Sequence, residues 1–236
     1  MSLRKSLALV VGATAVVAGG VSIGAVQKPT LSSGQPAAHR PAPLPQLKAP
    51  EGTEPLFRGD MTPELGLGCS NPTGTSGGPN DWATRVTPTL PAAPSWGVLS
   101  TTYNIFSFNA GPTWNLMAWN NTAPGPGTVI DTCPLGAGSG TTGNHTINVP
   151  AGCLLIPASS GPTWFFGLSQ GADLNGVRIG MDSNGTITPN TVFIKAPGCG
   201  LANFGTVESI GFPGNWVHRI IVDNSLPVEL MDFDIS

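Results

Sequence analysis

The chain has 236 residues, of which 32 are Gly and 24 are Pro, while Asp, Glu, Lys and Arg together supply only 10%. Gly and Pro at that density exclude a helical bundle or coiled coil, and 40% hydrophobic residues with six Trp exclude wholesale disorder. The net charge of −3 is uneven: residues 1–63 hold 6 Lys/Arg against 3 Asp/Glu, and residues 64–236 hold 4 against 10, too few and too scattered to neutralise phosphates, which excludes nucleic acid as a partner of the body.

Arg4 and Lys5 precede an uncharged apolar stretch, residues 7–26, which as a helix would span about 30 Å, the thickness of a bilayer core. Two readings stay open. One is a retained transmembrane anchor. The other is a signal peptide cleaved near Ile23-Gly24-Ala25, an imperfect site at its first position. Cations in front and their scarcity behind place everything after Lys28 outside the cytoplasm, membrane-anchored or secreted. Gly20 and Gly24 have the small-residue spacing that lets membrane helices approach closely, a pointer to a homo-oligomer. Residues 27–63 contain eight Pro and no hydrophobic periodicity, the composition of an extended tether. The expected organisation is therefore a signal peptide or membrane anchor (1–26), a Pro-rich linker (27–63) and a β-rich, disulfide-containing domain (64–236).

Within the body, short apolar runs bounded by Gly, Pro, Asn and Asp recur at residues 96–100, 103–108, 114–119, 128–131, 146–149, 153–156, 164–168, 177–181, 191–194, 207–210, 216–222 and 228–233. Several alternate as half-buried strands do, and no window supports a three-turn helix. Frequent turns between so many short strands predict an all-β fold, an antiparallel β-sandwich or jelly-roll-like domain. Five of the six Trp follow a Pro by two or three positions, as though a Pro turn delivers an aromatic to a strand start. Gly-Pro-Thr-Trp occurs twice, ending at Trp114 and Trp164. These two Trp either seal the ends of the core or stand in solvent as platforms for sugar rings.

Residues 171–188 carry Gly-x-Asp-x-Asn-Gly twice in succession. Asn-Gly favours a tight turn, whereas Asp-x-Asn-Gly also begins calcium loops, which makes Asp173, Asn175, Asp182 and Asn184 a candidate calcium set. The bidentate Glu that closes an EF-hand loop is missing. Four cysteines, Cys69, Cys133, Cys153 and Cys199, read as two disulfides, with Cys133 to Cys153 the favoured pairing among three connectivities. Asn120, Asn144 and Asn184 head glycosylation acceptor triplets.

Catalytic chemistry finds little support. His145 and His218 are the body's only histidines and neither sits in a nucleophile–base motif. Asp131, Glu208, Asp223, Asp232 and Asp234 could supply a glycosidase carboxylate pair, but nothing in the sequence selects two of them. The sequence therefore points to a structural or adhesive protein of a cell-envelope or virion surface. It would be held to the membrane by residues 7–26 and would contact other copies, other surface proteins or glycans. A polysaccharide hydrolase and a calcium-dependent carbohydrate-binding module are the alternatives.

Overall fold

A computed structural model describes residues 52–69, 79–92, 94–107, 113–137, 141–171 and 177–224. Fourteen strands run through them: β1 (Thr53–Leu56), β2 (Leu65–Leu67), β3 (Asn80–Val86), β4 (Ser95–Ser107), β5 (Thr113–Thr122), β6 (Gly125–Ala137) and β7 (Gly143–Asn148), then β8 (Leu155–Pro157), β9 (Trp164–Gln170), β10 (Arg178–Asp182), β11 (Val192–Ala196), β12 (Leu201–Thr206), β13 (Asn215–Trp216) and β14 (His218–Asp223). The only helices among the described residues are three single 3-10 turns. The expected all-β antiparallel sandwich is the fold observed.

One sheet has eight strands in the order β1-β14-β4-β10-β13, with β2 on β10 and with β7 and β8 on β4. The other has six, β12-β11-β3-β9-β5-β6, and every pairing in both is antiparallel. β9 shows why the sequence folds this way. Trp164, Phe166 and Leu168 join the core between the sheets, while Phe165 points to the opposite face, the two-residue period of a pleated strand. That core continues into the eight-stranded sheet through Trp96, Tyr103, Ile105, Ile179 and Ile220. A satellite cluster of Ala83, Trp119, Phe165 and Phe193 lies on the outer face of the six-stranded sheet, where Met117 and Phe204 pack against it.

The Pro–Trp pattern resolves as end-sealing. Trp114 is the second residue of β5 and Trp164 the first of β9, and these strands are antiparallel neighbours with Trp114 opposite Gln170 and Trp164 opposite Asn120. The two repeats therefore deliver their Trp to opposite ends of the sandwich. Trp114 packs with Trp82 and Tyr103, and Trp164 with Trp96.

Three expectations differ from the structure. Residues 53–56, assigned to the Pro-rich linker, form β1 and pair with β14, so the sheet begins ahead of residue 64. Pro55 is tolerated because β1 is an edge strand. Residues 207–210 are not a strand: Glu208–Ile210 form a 3-10 turn after Val207, in which Thr206 Oγ1 accepts from Ser209 N at 3.2 Å, Ser209 Oγ donates to Thr206 O at 2.7 Å, and Gly211 closes the turn at φ +86°. Residues 216–222 are interrupted at Val217, between β13 and β14. The strand expected at 228–233 and the helix expected at 7–26 lie outside the described residues. Among the described residues no helix is long and apolar enough to cross a membrane.

Candidate functional site

The four cysteines form two bridges, Cys69–Cys199 and Cys133–Cys153. Cys69 follows β2 in one sheet and Cys199 sits between β11 and β12 of the other; Cys133 lies on β6 and Cys153 just before β8. Each bridge thus ties one sheet to the other. Since the chain holds four cysteines in all, no free thiol remains.

Trp114 and Trp164 are 1% and 0% exposed, so neither presents a face to a sugar ring. They are core residues, and the stacking role raised for them has no surface to act on. Among the described residues their indole nitrogens have no hydrogen-bond partner, in contrast to Trp82, Trp96 and Trp216, which donate to the carbonyls of Leu67, Leu90 and Phe193.

Asp173 and Asn175 lie outside the described residues. Asp182 and Asn184, the other members of the calcium set, are built into a turn between the sheets. The fully buried Asp182 carboxylate accepts the backbone N–H groups of Asp60 (2.9 Å), Asn184 (3.2 Å) and Gly185 (2.9 Å). A Cβ at Gly185 would lie 2.6 Å from Asp182 Oδ2, which is why glycine occupies that position. Glu64 grips the same turn from the facing segment: its Oε2 accepts Ser183 N at 2.8 Å and its Oε1 accepts Asn184 Nδ2 at 2.6 Å. Burial raises the Glu64 carboxyl above its usual range, and the neighbouring Asp182 and Asp60 push in the same direction against the opposing backbone bond from Ser183. Gly185 does not adopt positive φ, so Asn184-Gly185 is an Asp-capped bend and not the left-handed hairpin turn its composition suggests. Among the described residues no three His, Cys, Asp or Glu side chains gather as a metal-binding group.

His218 is buried and its Nε2 lies 2.8 Å from Thr101 Oγ1, with the ring edge-on to Phe166 and Tyr103. Burial drives its pKa down to about 3, so it is a neutral core residue at physiological pH. His145, on β7, has its Nε2 2.9 Å from Thr141 O. Of the carboxylate pool, Asp131 is committed to backbone: Oδ1 accepts Thr132 N and Oδ2 accepts Leu155 N, which ties β6 to β8. Glu208 sits in the turn after β12 and Asp223 ends β14, while Asp232 and Asp234 lie outside the described residues.

The outer face of the eight-stranded sheet carries a surface that the sequence did not announce. Asn144, Thr146 and Asn148 are exposed on β7, opposite Asn104, Thr102 and Ser100 of β4. Two of these pairs are bonded, Thr102 Oγ1 with Thr146 Oγ1 at 2.9 Å and Asn104 Nδ2 to Asn144 Oδ1 at 2.7 Å. Arg219 faces Thr102 from β14, which makes a Thr146–Thr102–Arg219 row across three strands. Thr102 and Asn104 are buried beneath their β7 partners, so the groups open to solvent are Asn144, Thr146 and Asn148, amides and a hydroxyl at strand spacing flanked by the half-buried Arg219, an inventory that hydrogen-bonds a polyhydroxylated ligand.

These features define a disulfide-stapled, two-sheet antiparallel sandwich. No protein-family model and no curated protein matches the chain. Among solved structures it is similar to the cysteine protease and lectin-like domains of Cwp84, a surface layer associated protein of Clostridium difficile, with a TM-score of 0.52 and 11% identity over 76% of this chain and 37% of that one. It is also similar to the clostridial cysteine protease Cwp84 after propeptide cleavage, with a TM-score of 0.53 and 11% identity over 76% of this chain and 42% of that one. The chain spans less than half the length of both, and the likeness is one of fold.

Proposed function

We propose that this chain is an exported cell-surface β-sandwich with a structural or adhesive role, and that its body binds through the outer face of the eight-stranded sheet. The observation that carries this reading is the pair of inter-sheet disulfides that consume every cysteine. Such bridges persist outside the reducing cytoplasm and stabilise a body that has few charges. The fold likeness to a surface layer associated protein with a lectin-like domain supports the same direction. Its cysteine protease chemistry does not carry over, because a chain with no free thiol has no thiolate nucleophile. Residues 7–26 would anchor or export the chain and the Pro-rich stretch would space the body from the surface.

The test is to produce the full chain in an export-competent host and add protease to intact cells. The reading requires the body to be found outside, accessible to the protease or released to the medium. A protein confined to the cytosol would sink it.

A further inference from the structure

We propose that Asn184-Gly185 is a deamidation site held latent by Asp182 and Glu64. Asn-Gly is chemically labile because glycine leaves its backbone nitrogen unhindered. In the reaction the Gly185 nitrogen loses its proton and attacks Asn184 Cγ. The new N–Cγ bond closes a five-membered succinimide as the Cγ–Nδ2 bond breaks and ammonia leaves. Water then opens the ring at either carbonyl, which yields aspartate or isoaspartate.

Both reacting nitrogens are engaged in the folded chain. The Gly185 N–H donates to Asp182 Oδ1 at 2.9 Å, and a carboxylate acceptor opposes loss of that proton. Asn184 Nδ2, the leaving group, donates to Glu64 Oε1 at 2.6 Å, which keeps the side chain turned towards Glu64. The Asn184 N–H also donates to Asp182 Oδ1, at 3.2 Å, so the backbone on both sides of the susceptible bond is pinned to one buried carboxylate. The Asp182 bonds are local to the turn, whereas Glu64 is 120 residues from Asn184, so the Glu64 part of the protection exists only while the 57–64 segment lies against the turn. Deamidation would replace the amide donor facing Glu64 with a carboxylate, beside Asp182 and Asp60. The like charges would then work to part the two segments.

The experiment incubates the full chain, its Glu64→Ala variant and a synthetic peptide of residues 179–195 at pH 7.5 and 37 °C. The tryptic fragment between Arg178 and Lys195 is read by mass spectrometry, with fragmentation locating the change at Asn184. The folded chain should convert at least about tenfold more slowly than the peptide, the factor that about 1.4 kcal/mol of added barrier gives. Glu64→Ala should convert faster than the unaltered chain while it retains both disulfides. Should Glu64→Ala fail to fold, Glu64→Leu, which also has no acceptor for Asn184 Nδ2, takes its place with the same expected direction. Equal rates in folded chain and peptide, or no acceleration in a folded Glu64 variant, would overturn the proposal.

Discussion

Lowering the pH tests the interior through one residue. His218 is 2% exposed, hydrogen-bonded to Thr101, and held neutral with a pKa of about 3, whereas in the unfolded chain its imidazole titrates near 6.5. Between those values the unfolded chain binds a proton that the folded chain refuses, so stability is full above pH 6.5 and drains as the pH falls towards 3. The linkage amounts to about 2 kcal/mol at pH 5 and about 4 kcal/mol at pH 3. His218→Leu removes the titration at a fixed cost, because Thr101 Oγ1 loses its partner at every pH, a penalty of about 1–3 kcal/mol. Urea unfolding followed by Trp fluorescence at pH 7.5 and 5.0 gives the comparison, since the carboxylates titrate alike in both proteins. The unaltered chain should lose about 2 kcal/mol more than the variant between the two pH values. Equal losses would refute the placement of a neutral imidazole in the core.

Tyr103 is the chain's single tyrosine, is fully buried, and has its hydroxyl pushed up to about 12 by burial. Absorbance at 295 nm should therefore stay flat through pH 10 and rise only near 12 or on unfolding, whereas a step at 10 would place the ring in water. The bridges close loops of different length, with sequence separations of 130 and 20, so replacing Cys69 and Cys199 by Ser should cost about 5 kcal/mol and replacing Cys133 and Cys153 about 3 kcal/mol. Calorimetry on the two double variants checks that order. Asp182→Ala removes the acceptor of three backbone N–H groups and should destabilise by about 3 kcal/mol, read as a lower urea midpoint. A shift near zero would mean the turn is not held by that carboxylate.

The sandwich was legible wherever a strand keeps its apolar residues on one face or on both. β9 reads Trp-Phe-Phe-Gly-Leu and β10 alternates Ile179 and Met181 with Gly180 and Asp182, so both were found from pattern alone. β3 was not, because it turns Asn80 and Thr84 into the protein beside Trp82 and Val86 and so mixes polar residues into its buried set. β1 was hidden by Pro55, which reads as linker until the pairing with β14 supplies a reason for extension. The turn at 207–210 has strand-like apolar residues, but Thr206 and Ser209 close it with side-chain hydrogen bonds that a hydrophobic pattern does not register. The candidate binding face was invisible for a different reason: Thr102 and Thr146 are 44 residues apart, and only the β4–β7 register brings them together. Composition marked Trp114 and Trp164 as either core or platform, and burial decides for the core.

Disulfide mapping of the full chain, with thiols trapped by alkylation as cells are broken, tests most directly the claim that this is an exported surface sandwich clamped sheet to sheet. An exported, clamped sandwich shows no alkylated cysteine before reduction and two linked peptide pairs, Cys69 with Cys199 and Cys133 with Cys153. Alkylated, unpaired cysteines in the cell-borne protein, or a different pairing, would contradict that claim.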